Sequence, residues 1–145
     1  MRILVATDGS RAGIAALKFA ARLATGDPKA QLVVLTVDPS PNGGPPGKGG
    51  RRSDAQKALE SAARHVRRPG GPPTRFQLVP ARRVDEVPDV ISREADRMRA
   101  DMVVVGSEGR DTLNEWIVGG TALRLIYVAR RPVTVVRAPR KRQTR

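Results

Sequence analysis

Apolar and β-branched residues run without polar interruption at three places, Ile3 to Thr7, Leu32 to Val37 and Met102 to Val105. A strand with one wet face alternates, so continuous runs predict strands of a sheet covered on both sides. Two weaker runs differ. Phe76 and Leu78 alternate with polar neighbours between Arg75 and Val79, and Val133 to Arg137 follows Pro132. That pattern places both toward the sheet edges.

Between the runs the period becomes helical. Ser10 is a candidate cap for a helix with Ile14, Leu17, Ala20, Ala21 and Ala24 on one face, stopped by Gly26 and Pro28. Ser53 and Gln56 form an S-x-x-Q capping box that opens a second helix through Leu59, Ala63 and Val66 to Pro69-Gly70. The third begins near Asp85, with Pro88 in its first turn and Val87, Ile91, Ala95 and Met98 on one stripe. A fourth carries Ala122, Leu125, Ile126 and Ala129 and ends before Pro132.

The resulting order is β-α-β-α-β-α-β-α-β. Strict alternation implies parallel strands joined by right-handed helical crossovers. The expected fold is therefore a single doubly wound α/β domain over residues 1–138. It has a five-stranded parallel sheet, order 3-2-1-4-5, flanked by four helices. Pro39 to Arg52, with four prolines and five glycines in fourteen residues, reads as a flexible surface loop. Residues 139–145 read as a basic tail.

Composition narrows the chemistry. With no cysteine in 145 residues, disulfides, thiolate metal sites and a cysteine nucleophile are excluded. The single histidine, His65, falls in a polar helix and reads as solvated. No apolar run approaches the roughly 18 to 20 residues that span a bilayer. Met1 to Ala6 meets Thr7 and Asp8 before a signal-like segment develops, so the expected setting is cytoplasmic.

Open parallel sheets bind ligands at the carboxyl ends of their strands, where strand order reverses. Two loops qualify: Thr7-Asp8-Gly9-Ser10 after the first strand and Gly106-Ser107-Glu108-Gly109 after the fourth. After nine intervening residues past Gly109, Gly119-Gly120-Thr121 opens the last helix. Glycines let a backbone approach an anion, and free amides at a helix start favour phosphate oxygens. The same glycines would also serve as plain turns. Asp8 is placed to accept from ribose hydroxyls or to satisfy the turn's own amides. The G-x-x-x-x-G-K-[ST] and G-x-G-x-x-G phosphate motifs are absent, and Gly47-Lys48-Gly49-Gly50 follows no strand.

Ile3 to Ser10, Leu35-Thr36-Val37, Asp101 to Arg110 and Arg131 to Arg137 together resemble the universal stress protein family, from residue 2 to about 138 outside the Pro/Gly loop. The signature G-x2-G-x9-G-[ST] places the chain near the family's ATP-binding group. The resemblance implies ATP at the switch point, with Asp8 toward ribose, the Val37 main chain toward adenine, and Gly106, Gly109 and Gly119 around the phosphates. The implied site comprises Ala6, Thr7, Asp8, Val37, Gly106, Ser107, Gly109, Arg110, Gly119, Gly120 and Thr121. Any Mg or Mn would ride on the phosphates. Gly120 stands where the family pattern has Ser or Thr, so one hydroxyl donor is missing unless Thr121 replaces it. The resemblance also implies a homodimer through the last strand, at Val133, Val135 and Val136.

The expected function is an adenine-nucleotide-binding regulatory protein of stress response. No general base stands beside a nucleophile in the sequence pattern, so at most slow hydrolysis or phosphate transfer is expected. The alternative is a member without nucleotide that binds nucleic acid or an acidic protein electrostatically. It draws on 27 Lys and Arg against 14 Asp and Glu, net +13. Lys48, Arg51 and Arg52 in the loop and Arg140, Lys141, Arg142 and Arg145 in the tail carry more than half of that excess.

Overall fold

The computed structural model describes residues 1–39, 53–108 and 118–140. Five strands alternate with four helices: β1 (Arg2–Ala6), α1 (Arg11–Thr25), β2 (Gln31–Asp38), α2 (Asp54–Val66), β3 (Thr74–Pro80), α3 (Val87–Arg97), β4 (Met102–Gly106), α4 (Gly120–Val128) and β5 (Val133–Val136). The strands form one parallel sheet in the order β3-β2-β1-β4-β5. The two interrupted runs of the sequence are its edges, as their alternation requires.

Period-two alternation splits the sheet into two apolar layers. Ile3, Val5, Leu32, Val34 and Val104 meet Ala16, Leu17 and Ala20 of α1 and Ala62 and Val66 of α2. Leu4, Val33, Leu35, Val103 and Val105 meet Ile91 and Ala95 of α3 and Ala122 and Leu125 of α4. Alanine on the helix faces brings the helix axes close to the sheet, which makes the ends of strands and helices sterically tight.

Caps match the sequence where side chains supply them. Ser10 Oγ accepts the Gly13 N–H at 3.1 Å and Ser53 Oγ accepts the Gln56 N–H at 3.1 Å. The third helix differs: a single 3-10 turn at Val84–Glu86 precedes α3, with Pro88 in the helix's first positions. The fourth differs more. Ala122 and Leu125 are buried, but Ile126 is 52% exposed beside Leu123 and Tyr127, and α4 ends before Ala129. One residue is 100° of helix, enough to turn Ile126 off the narrow stripe that meets the sheet. His65 is half-buried, its Nδ1 2.8 Å from the Ser61 carbonyl oxygen.

The α3 terminus holds the one non-glycine residue with positive φ among those described, Arg99 at 54°. Its N–H donates to Asp96 O at 3.1 Å and the Ala100 N–H to Ala95 O at 2.9 Å, a left-handed helix close. Glycine is the usual residue there because a Cβ is penalised by about 1 kcal/mol.

Candidate functional site

The chain passes from β1 outward to β3, then crosses to β4 and β5 on the other side. The loops leaving β1 and β4 therefore diverge from adjacent strand ends, the place where such sheets open. Ala6, at the end of β1, pairs with Leu35 and Val105. Thr7 then anchors to β2: its N–H donates to Leu35 O at 3.0 Å, and its carbonyl accepts the Thr36 hydroxyl at 3.0 Å. Both threonines are buried.

Past Thr7 the turn closes on itself. Gly9 adopts φ 79°, its N–H donating to Thr7 Oγ1 at 3.2 Å, and the Ser10 N–H donates to Asp8 Oδ1 at 2.9 Å. Asp8 is thus engaged with the turn while its side chain stays exposed. Ser10 does two jobs: besides capping α1, its hydroxyl donates to the Glu108 carbonyl at 3.3 Å. The two diverging loops are thereby joined.

Glycine is required twice at this junction. A Cβ on Gly106 would lie 2.6 Å from the Ala12 carbonyl carbon and 2.7 Å from the Gly13 nitrogen. On Gly13 it would lie 2.7 Å from Thr7 Oγ1 and 3.0 Å from Asp8 Oδ1. Close approach of β4 to the first turn of α1 accounts for Gly106. Sequence reasoning passed over Gly13, although a glycine inside a helical pattern is the ordinary sign of such an approach.

The far side of the site is built from main chain. The Ser107 N–H donates to Val136 O at 2.8 Å, and its carbonyl accepts the Gly119 N–H at 2.6 Å, which docks the start of α4 beside β4. Gly119 is the N-cap, with extended backbone and no side-chain cap hydrogen bond. The first-turn amides of α4 thus carry the helix's positive end without a carboxylate or hydroxyl of the cap to occupy them. At Gly120 a Cβ would meet nothing within 4 Å among the described residues, none of which makes a steric demand for glycine there. Thr121 is exposed.

Ala6, Thr7, Asp8, Gly106, Ser107, Gly119, Gly120 and Thr121 thus gather at one end of the sheet. Val37 lies on the same end, half-buried near the close of β2. Gly109 and Arg110 lie outside the described residues, as do the rest of the Pro/Gly loop beyond Pro39 and the tail beyond Arg140. Among the described residues no cluster of three or more His, Cys, Asp or Glu is arranged to hold a metal ion. Nor is any helix among them long and apolar enough to cross a membrane.

The family model of the universal stress protein family matches residues 1–137, and this chain belongs to that family. A universal stress protein of Methanocaldococcus jannaschii is 29% identical over 149 residues, covering 97% of this chain and 84% of that protein. Among solved structures, a universal stress protein from Archaeoglobus fulgidus superposes with a TM-score of 0.72 at 29% identity, covering 94% of this chain and 98% of that one. A universal stress protein from the same organism in complex with dAMP gives a TM-score of 0.67 at 26% identity, covering 94% and 97%.

Proposed function

We propose that this protein binds an adenine nucleotide, ATP in particular, at the carboxyl ends of β1 and β4, and acts as a regulatory module of cytoplasmic stress response. The observation that carries the reading is the start of α4: a glycine N-cap, first-turn amides with no side-chain cap, and, among the described residues, nothing within 4 Å of a Cβ at Gly120. A helix start of this kind accepts phosphate oxygens. The dAMP complex of the A. fulgidus relative supports the adenine part of the assignment. Asp8 would meet the ribose, the Val37 main chain the base, and Gly109 with Arg110 would complete the phosphate side. A divalent cation would be carried by the phosphates.

The reading is one of binding. The Ser10 hydroxyl donates to a carbonyl, and Asp8 Oδ1 receives a main-chain N–H, so this pair does not form an activated nucleophile. Calorimetry with ATP, ADP and AMP, with and without Mg²⁺, tests the proposal. Heat of binding with ATP together with a rise in melting temperature is expected. Neither signal with any adenine nucleotide would end the reading.

We further propose a homodimer through β5. Pro132 and Val136 turn their carbonyls to β4, accepting from Val103 and Ser107, so Val133 and Val135 direct their N–H and C=O groups outward along a free edge. Leu123, Ile126 and Tyr127, 48%, 52% and 80% exposed, supply apolar surface on α4, the helix that leads into β5. Val135→Pro removes an outward donor without touching the β4 ladder. Light scattering should show a dimer for the native chain and a monomer for this variant.

A further inference from the structure

The opposite end of the sheet, where strands begin and helices end, is open on both sides of the edge strand β3. A cleft of about 660 Å³ lies between β2, β3 and the end of α3, with Arg2, Arg75, Arg97 and Arg99 on its walls. A second, of about 440 Å³, lies between the end of α2 and β3, with Arg67 and Arg68 on its walls. Thr74 lines both. The first cleft exists because α3 packs on β2 and α4, leaving bare the face of β3 that carries Arg75 and Gln77.

Among the described residues, no acidic residue lines either cleft. The nearby carboxylates are already engaged: Glu94 pairs with Arg97 of the cleft wall at 2.6 Å, which leaves Arg97 the least available of its cations, Asp101 accepts the Arg2 main-chain N–H at 2.7 Å, and Asp96 pairs with Arg131 at 3.0 Å. Among the described residues, the Arg2 guanidinium donates to the Met98 carbonyl alone, at 3.3 Å. Arg67 lies 5.4 Å from the centre of the Phe76 ring. Among the described residues, the side chains of Arg68, Arg75 and Arg99 make no ion pair or hydrogen bond. Cations at helix ends are favourable to the helix dipole, which suffices for Arg97. It does not explain Arg75, on a strand, nor Arg99, held in the left-handed conformation that glycine adopts freely.

We propose that these joined clefts form a second anion site, which takes a chain of linked phosphates threaded around the start of β3. Every cation lining them is arginine, whose planar fork pairs with phosphate oxygens two at a time. The walls expose no large apolar anchor of the kind a protein partner needs, and Arg67 already covers the lone aromatic ring. Recognition therefore rests on phosphates and is blind to base sequence. A nucleic-acid backbone and inorganic polyphosphate share this chemistry.

The test uses the full chain and fluorescence anisotropy of a labelled twenty-nucleotide oligo-dT across a salt series. Arg99→Gly is the informative variant, because it relieves the backbone while removing the charge. Its melting temperature should rise by about 2 to 4 °C, while affinity falls severalfold and the salt slope drops by about 0.7 for each phosphate no longer neutralised. Arg75→Ser should add to the loss. Inorganic polyphosphate should displace the oligonucleotide, and poly-glutamate of equal charge should not. The proposal fails if Arg99→Gly gains stability and keeps its affinity, or if poly-glutamate competes equally. It fails too if the charge-matched pair Lys48→Ser and Arg51→Ser costs as much, since binding would then follow net charge alone.

Discussion

The two flanks of the switch point are made differently. On the β1 side, Thr7, Asp8, Ser10 and Gly13 fill one another's hydrogen-bonding and steric needs, and Gly106 of β4 packs so closely on the α1 backbone that a Cβ there would lie 2.6 Å from Ala12. On the α4 side, the cap has no side chain, and no described residue comes within 4 Å of a Cβ at Gly120. The first flank is a fixed wall that sets where the strands end. The second, among the described residues, has no side chain capping its amides, which is what the proposed ligand-binding flank requires.

If that contrast is right, substitutions on the two flanks should act on different quantities. Gly106→Val pushes a side chain into the backbone of α1 and should lower unfolding free energy by about 3 kcal/mol, read as a reduced urea midpoint with an unchanged slope. Near-native stability in that variant would show the wall to be soft. Gly120→Ser should act oppositely: the fold is kept, and a restored hydroxyl to a charged phosphate is worth about 1.5 to 3 kcal/mol. Calorimetry should then find ATP bound roughly ten- to a hundredfold more tightly. No gain would mean that the open flank does not face phosphate.

Ser10→Ala tests the joint between the flanks. Removing the cap and the hydrogen bond to Glu108 should cost about 1 kcal/mol of stability, measured by thermal unfolding, with a smaller effect on nucleotide affinity. The smallest effect belongs to a site remote from both. Asp27 accepts the Lys29 N–H at 2.9 Å and then the Met1 amine at 3.3 Å, and these hold its carboxyl below the ordinary aspartate range. A pKa lower folded than unfolded gives stability that is present above about pH 4 and fades as pH falls through the folded value. Asp27→Asn should flatten that part of a melting-temperature profile, leaving the variant slightly less stable than the native chain near neutral pH and level with it once the aspartate is protonated.

Much of this arrangement is legible without coordinates. Continuous against alternating runs separates inner from edge strands because burial on two faces excludes polar residues, and the alternation of strand and helix makes the strands parallel. The loops of the site are legible for the same reason, as the ends of those strands. The purpose of each glycine is not. Gly106, Gly13 and Gly120 are the same letter in sequence, yet a Cβ at the first two would lie within 3 Å of a neighbour, and at the third it would meet no described residue. Ile126 fits a helical stripe as well as Leu125 does, and only the width of the sheet beneath α4 turns it outward.

The charge shows the same division. Net +13 is fixed by composition, and its concentration in the loop and tail by position. The gathering of Arg2, Arg67, Arg68, Arg75, Arg97 and Arg99 around the start of β3 draws on stretches of chain far apart in sequence, among them a helix close that places Arg99 at positive φ. Local pattern determines which elements form, since burial and hydrogen bonding act within a few residues. Which side chains then share a cleft, and which glycines are indispensable, is decided by packing between elements distant in sequence, and only the folded chain carries that.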